Sequence, residues 1–141
     1  MARWRSLGAA AGLAGILAAG PVPAANLVGT AAKLQGMDKV TARISSFEAA
    51  IGEVVRYGNL EIVVRACRKR PPEEKPESAA YLEIHEIRPG KPKRKVFEGW
   101  MFASSPALSA MEHPVYDVWV VDCKIPGAPN PKARKKAAKK R

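Results

Sequence analysis

The segment Val96-Phe97-Glu98-Gly99-Trp100-Met101-Phe102-Ala103-Ser104-Ser105-Pro106-Ala107-Leu108-Ser109-Ala110-Met111-Glu112-His113-Pro114-Val115-Tyr116-Asp117-Val118-Trp119-Val120-Val121-Asp122-Cys123-Lys124 decides the fold class. Both ends of it are β-branched and aromatic, of strand length, with apolar residues on both parities. That is the pattern of strands covered on both faces. Between them Ser105 and Pro106 offer an N-cap and a first-turn residue, which predicts a short helical turn joining the two strands.

Working outward, the preceding chain carries shorter, half-polar strands able to pack on this pair. Lys39 to Phe47 alternates, with Val40, Ala42 and Ile44 on one side. Gly52 to Tyr57 and Leu60 to Arg68 read as a hairpin joined by Gly58-Asn59. Arg68 to Glu77 is too rich in proline and charge for a ladder and reads as an exposed loop. Ala80 to Ile87 resumes the strand pattern, and Arg88-Pro89-Gly90-Lys91 fits a type II turn. The expected fold is all-β: a small β-sandwich or partly closed barrel of about six strands with one short helical turn.

The ends divide from this domain. Arg3 and Arg5, an apolar run from Leu7 to Gly20 and the small residues Val22-Pro23-Ala24 have the order of a cleaved export signal over residues 1–24. The run is shorter than the ~20 residues of a membrane span, so an uncleaved anchor is the lesser alternative. No cysteine follows the cleavage site, which excludes a lipoprotein anchor there. Residues 25–38 read as a flexible leader, 39–125 as the β domain and 126–141 as a basic, disordered tail. The expected mature chain is periplasmic, with no transmembrane span of its own.

The net charge of +11 misleads if it is spread over the whole chain. Residues 25–125 hold fifteen basic and thirteen acidic side chains, a balance of only +2. Lys132, Arg134, Lys135, Lys136, Lys139, Lys140 and Arg141 concentrate the rest in the tail, an electrostatic patch for anionic envelope surfaces. Export removes nucleic acid as a partner. The two cysteines, Cys67 and Cys123, pair most simply with each other in an oxidising compartment.

Four long stretches carry a family resemblance: residues 39–45 (KVTARIS), 57–73 (YGNLEIVVRACRKRPPE), 97–108 (FEGWMFASSPAL) and 112–119 (EHPVYDVW). They resemble the exported alphaproteobacterial domain-of-unknown-function family numbered 2155, over about residues 38–124. The resemblance implies a bacterial envelope protein. It carries no activity with it, and so no catalytic residue.

The remaining candidates are weighed on chemistry. Glu112, His113 and Asp117 cluster in sequence near the aromatic block and are the group a small envelope hydrolase would use. Outward polar residues on strands are nonetheless the ordinary case, so no catalytic residue is assigned. Cys67, Cys123, His85 and His113 match the ligand count of a zinc site but lack its short spacings, so no metal and no cofactor are expected. Ser104-Ser105 lacks the context of a nucleophile elbow. The bias of aromatics toward residues 97–119 reads first as core, and alternatively as one parity buried with the other lining a groove, as in a binding or assembly module. Trp100, Met101, Leu108, Met111 and Trp119 are its candidate partner-binding residues, and an envelope protein is the expected partner.

Overall fold

The computed structural model describes residues 20–21 and 25–127. Apart from Gly20 and Pro21, the expected export signal lies outside them, as do all seven tail cations. The fold is all-β, with eight strands in two sheets and one 3-10 turn. The strands are β1 (Leu27–Val28), β2 (Ala31–Asp38), β3 (Arg43–Ala50), β4 (Val54–Tyr57), β5 (Leu60–Lys69), β6 (Ser78–Glu86), β7 (Arg94–Phe102) and β8 (Tyr116–Lys124). The turn is Pro106–Ser109. The larger sheet runs β1-β5-β6-β7, with β4 also on β5; the smaller runs β3-β2-β8, and all named pairs are antiparallel. Neither closes into a barrel. Among the described residues no helix is long and apolar enough to cross a membrane.

β6 shows the rule cleanly: Ser78, Ala80, Leu82, Ile84 and Glu86 face inward while the residues between them face out. The core is the inward parity of both sheets, with Leu60, Ile62, Val64, Leu82 and Ile84 from one and Leu34, Val118 and Val120 from the other. Across it β8 packs on β6, and β2 and β3 on β5. The Cys67–Cys123 bond ties β5 to β8, sheet to sheet, with Cα atoms 5.7 Å apart.

Two local devices close the turns. Asp38 accepts hydrogen bonds at Oδ1 from the amides of Val40 (2.8 Å) and Thr41 (3.2 Å), and Ala42 takes φ 53°. Residues 39–42 are thereby a hairpin loop, not the start of a strand. At Gly58 φ is +57°, and a Cβ there would stand 2.4 Å from the Tyr116 ring, so only glycine fits.

Three expectations are corrected. Residues 31–38, read as part of a leader, are the central strand of the smaller sheet. Its inward parity holds Ala32, Leu34 and Gly36, so Leu34 is the one large apolar side chain there, and the Tyr57 ring lies against Gly36. The aromatic blocks at 96–102 and 116–124 are not covered on both faces; each is an edge strand, and they belong to different sheets. Their apolar residues occur on both parities because Trp100, Phe102 and Trp119 face outward while Phe97, Met101, Val118 and Val120 face inward, and each strand also carries a bulge, at Val96 and at Val121, that resets the alternation. The strands number eight instead of about six.

Candidate functional site

Parity places the most distinctive surface on the outer face of the larger sheet. The bulge at Arg65/Ala66 turns both residues outward, so Ala66 opposes Tyr81, which opposes Trp100. One row further on, Val28 opposes Arg68, Arg68 opposes Ala79 and Ala79 opposes Phe102. Two alanines thus lie between larger neighbours, and a groove of about 520 Å³ opens over them, lined by Asn26, Ala66, Arg68, Ala79, Trp100 and Phe102. Trp100 is 40% exposed and meets Tyr81 edge to face at 5.7 Å.

Charge is unevenly spread on this face. Away from the groove the carboxylates are paired: Glu61 with Lys93 (2.6 Å) and Arg56 (2.8 Å), Glu83 with Arg65 (3.1 Å), Glu98 with Lys95. The Lys93 hydrogen bond holds Glu61 below the usual carboxylate range, and Lys95 does the same for Glu98. Burial, reinforced by Glu98, pushes the Tyr81 hydroxyl up. Arg68, at the groove, donates to the Cys67 carbonyl at 3.1 Å and has no carboxylate partner among the described residues.

A second polar group lies between the sheets. Glu86, inward at the end of β6, takes His113 Nε2 at 3.0 Å on one oxygen and a two-point contact from Arg94 (2.8 and 3.2 Å) on the other. His113, chiefly, and then Arg94 bring the Glu86 carboxyl down to about 2. His113 Nδ1 accepts from the amides of Val115 (3.1 Å) and Tyr116 (3.0 Å), which leaves Nε2 to carry the ring proton toward Glu86. The ring is buried and stacks on Tyr116 at 5.5 Å.

The structure separates the residues that the sequence grouped. Trp100 is in the groove, whereas Met101 and Met111 are in the core, 2% and 3% exposed, and face no partner. Alternation along β7 buries Met101 beneath Trp100. Met111 seals the core under the crossing loop, and Leu108 stands free on its 3-10 turn at 76% exposure. Trp119 projects from the smaller sheet, on the opposite side of the molecule from Trp100. Ser105 precedes the turn without a side-chain cap. Glu112 and His113 border one shallow depression with Lys39, Met111 and Pro114, but Asp117 shares the outward parity of Trp119. No group of three metal-ligating side chains gathers among the described residues. Sequence reasoning missed Glu86, Arg68 and the alanine floor, although the strict alternation of β6 already put Glu86 on the Leu82 and Ile84 side.

A family model described as "Uncharacterized protein conserved in bacteria (DUF2155)" matches residues 32–123. The chain is also similar to the uncharacterized protein RP359 of Rickettsia prowazekii (strain Madrid E), 30% identical over 94 residues. That match covers 67% of this chain and 61% of the relative, so the chain spans about three-fifths of the relative's length. No solved structure matches.

Proposed function

Because the chain belongs to this conserved bacterial family, the domain of unknown function numbered 2155, we propose that it is an exported, non-enzymatic binding or assembly module of the cell envelope. The observation that carries this reading is the groove on the larger sheet. An exposed indole stands beside two alanines and a cation without a carboxylate partner, on a framework fixed by the disulfide behind it. Apolar concavities with a few polar groups on rigid strands are where ligands and partners are held.

Export is supported by the order of Arg3, Arg5, the apolar run and Val22-Pro23-Ala24, and by the Cys67–Cys123 bond, since structural disulfides persist in oxidising compartments. The hydrolase alternative has weaker support, because both ring nitrogens of His113 are already engaged and Asp117 lies elsewhere. The test is fractionation combined with a photocrosslinker placed at residue 100 in living cells. The expected result is a periplasmic chain beginning near Ala25, bonded at Cys67–Cys123, with one discrete crosslinked species formed from residue 100 and none from a control at residue 48. A cytoplasmic chain with free thiols, or equal crosslinking at both positions, rejects the reading.

A further inference from the structure

We propose that the disulfide end of the sandwich rests on an anionic phospholipid surface, with Trp100, Phe102 and Val28 entering the headgroup layer. The inference deepens the envelope-module reading by naming the partner of its groove. Three placements carry it.

First, the outer face of the larger sheet is graded along its strands. The carboxylates Glu61, Glu83 and Glu98 lie toward the end away from the disulfide. The rows nearest the disulfide are Val28, Arg68, Ala79 and Phe102, then Ala66, Tyr81 and Trp100. Val28 is 59% exposed. At the rim Lys69 is paired with Asp122 and Arg70 with Glu74, while Glu77 is engaged by Ser104; Glu73 is the acidic neighbour without such a partner.

Second, both ends of the domain emerge there. The Gly29 amide donates to the Cys67 carbonyl at 2.9 Å and the Thr30 amide to the Lys124 carbonyl at 2.9 Å, so the entering and leaving segments meet beside the disulfide. Residues 128–141 follow directly, with seven basic residues and no acidic one. Fourteen residues reach at most about 50 Å, enough to spread those cations over any surface the groove faces.

Third, the chemistry is mixed. An indole and a phenyl ring beside an arginine suit the headgroup level of a bilayer, where apolar rings and cations are both accommodated. A hydrated acidic polysaccharide would satisfy Arg68 and the tail but would gain nothing from Val28.

The test uses the chain as purified from cells, with Trp4 and Trp119 replaced by Phe so that Trp100 is its one indole. Vesicles of phosphatidylglycerol and phosphatidylethanolamine should shift Trp100 emission to the blue, and lipids brominated near the headgroup should quench it. Phosphatidylcholine vesicles should do neither. Removing residues 128–141 should raise the lipid concentration needed about tenfold at low salt, and Arg68→Glu, in protein that keeps its disulfide and melting temperature, should also weaken the response. A variant with Trp119 as its one indole should stay silent. Binding without any change at Trp100, no binding, or a shift caused by polygalacturonate and not by vesicles overturns the proposal. A periplasmic chain whose Trp100 ignores vesicles removes this inference alone and leaves the module reading in place.

Discussion

His113 has both ring nitrogens engaged inside the fold, one by two backbone amides and the other by Glu86. His113→Ala would leave those amides without His113 Nδ1 and leave the Glu86 oxygen with only the long 3.4 Å contact from Asn59, and is expected to lower stability by roughly 2–4 kcal/mol in urea unfolding. Glu86 adds a pH dependence of definite sign. Its folded value of about 2 lies below the ordinary 4.5, so the stability it contributes is complete above pH 4.5 and drains away as pH falls toward 2. In Glu86→Gln the acid limb of a stability-against-pH curve should be flatter; an unchanged limb would mean the carboxylate does not matter there. Asp122 works in the same direction: burial would raise it, but hydrogen bonds from Lys69, Ser78 and the Cys123 amide hold it low. The sequence grouped His113 with Glu112 and Asp117 because they are neighbours in the chain. Its actual partner lies 27 residues away on another strand, and only pairing register brings the two together.

At the scale of elements, two bulges decide the disulfide. In β5 the extra residue at Arg65/Ala66, and in β8 Val121, each shift the alternation by one, so Cys67 and Cys123 both turn inward. Without the β5 bulge Cys67 would keep the outward parity of Glu61 and Val63. Deleting Val121 removes the bulge and leaves Val120, Asp122 and Cys123 in plain alternation opposite Leu34, Lys33 and Ala32, so Cys123 should stay inward and neither thiol should label without reductant. Replacing both cysteines by serine should cost up to about 4 kcal/mol for the large loop released. The pairing itself was legible from the presence of two cysteines and the expectation of export, but the bulges were not, since they depend on which strand lies opposite. β2 was hidden for a related reason: apart from Leu34 its inward residues, Ala32 and Gly36, are small, and the bulk over Gly36 comes from Tyr57 on a strand of the other sheet. On the crossing loop, Leu108→Asp should change stability by less than about 0.5 kcal/mol, because the leucine is exposed and Met111 is the residue that seals the core.

For the whole molecule, all the described strands and core residues lie between Leu27 and Ile125. A chain ended after Gly127 should keep the melting temperature of the longer one, as scanning calorimetry would show. The all-β class, most strand positions and the 70–77 loop could be read from alternation and turn residues, although Arg68 and Lys69, expected in that loop, are the last two residues of β5. The assignment of the two aromatic blocks to different sheets could not, because a crossing loop long enough to join neighbours is also long enough to change sheets.

The meeting of the two chain ends at the disulfide has a mechanical consequence. Ala31 and Lys124 are direct partners at the same end of β2 and β8. Tension applied between the entering and leaving segments would therefore open that ladder like a zip, one hydrogen-bonded pair at a time, instead of shearing many together. On the leaving side the pull stops at Cys123, whose covalent bond passes the load to β5. On the entering side nothing of that kind holds β2. The domain is poorly built to be a link under strain between two anchored ends.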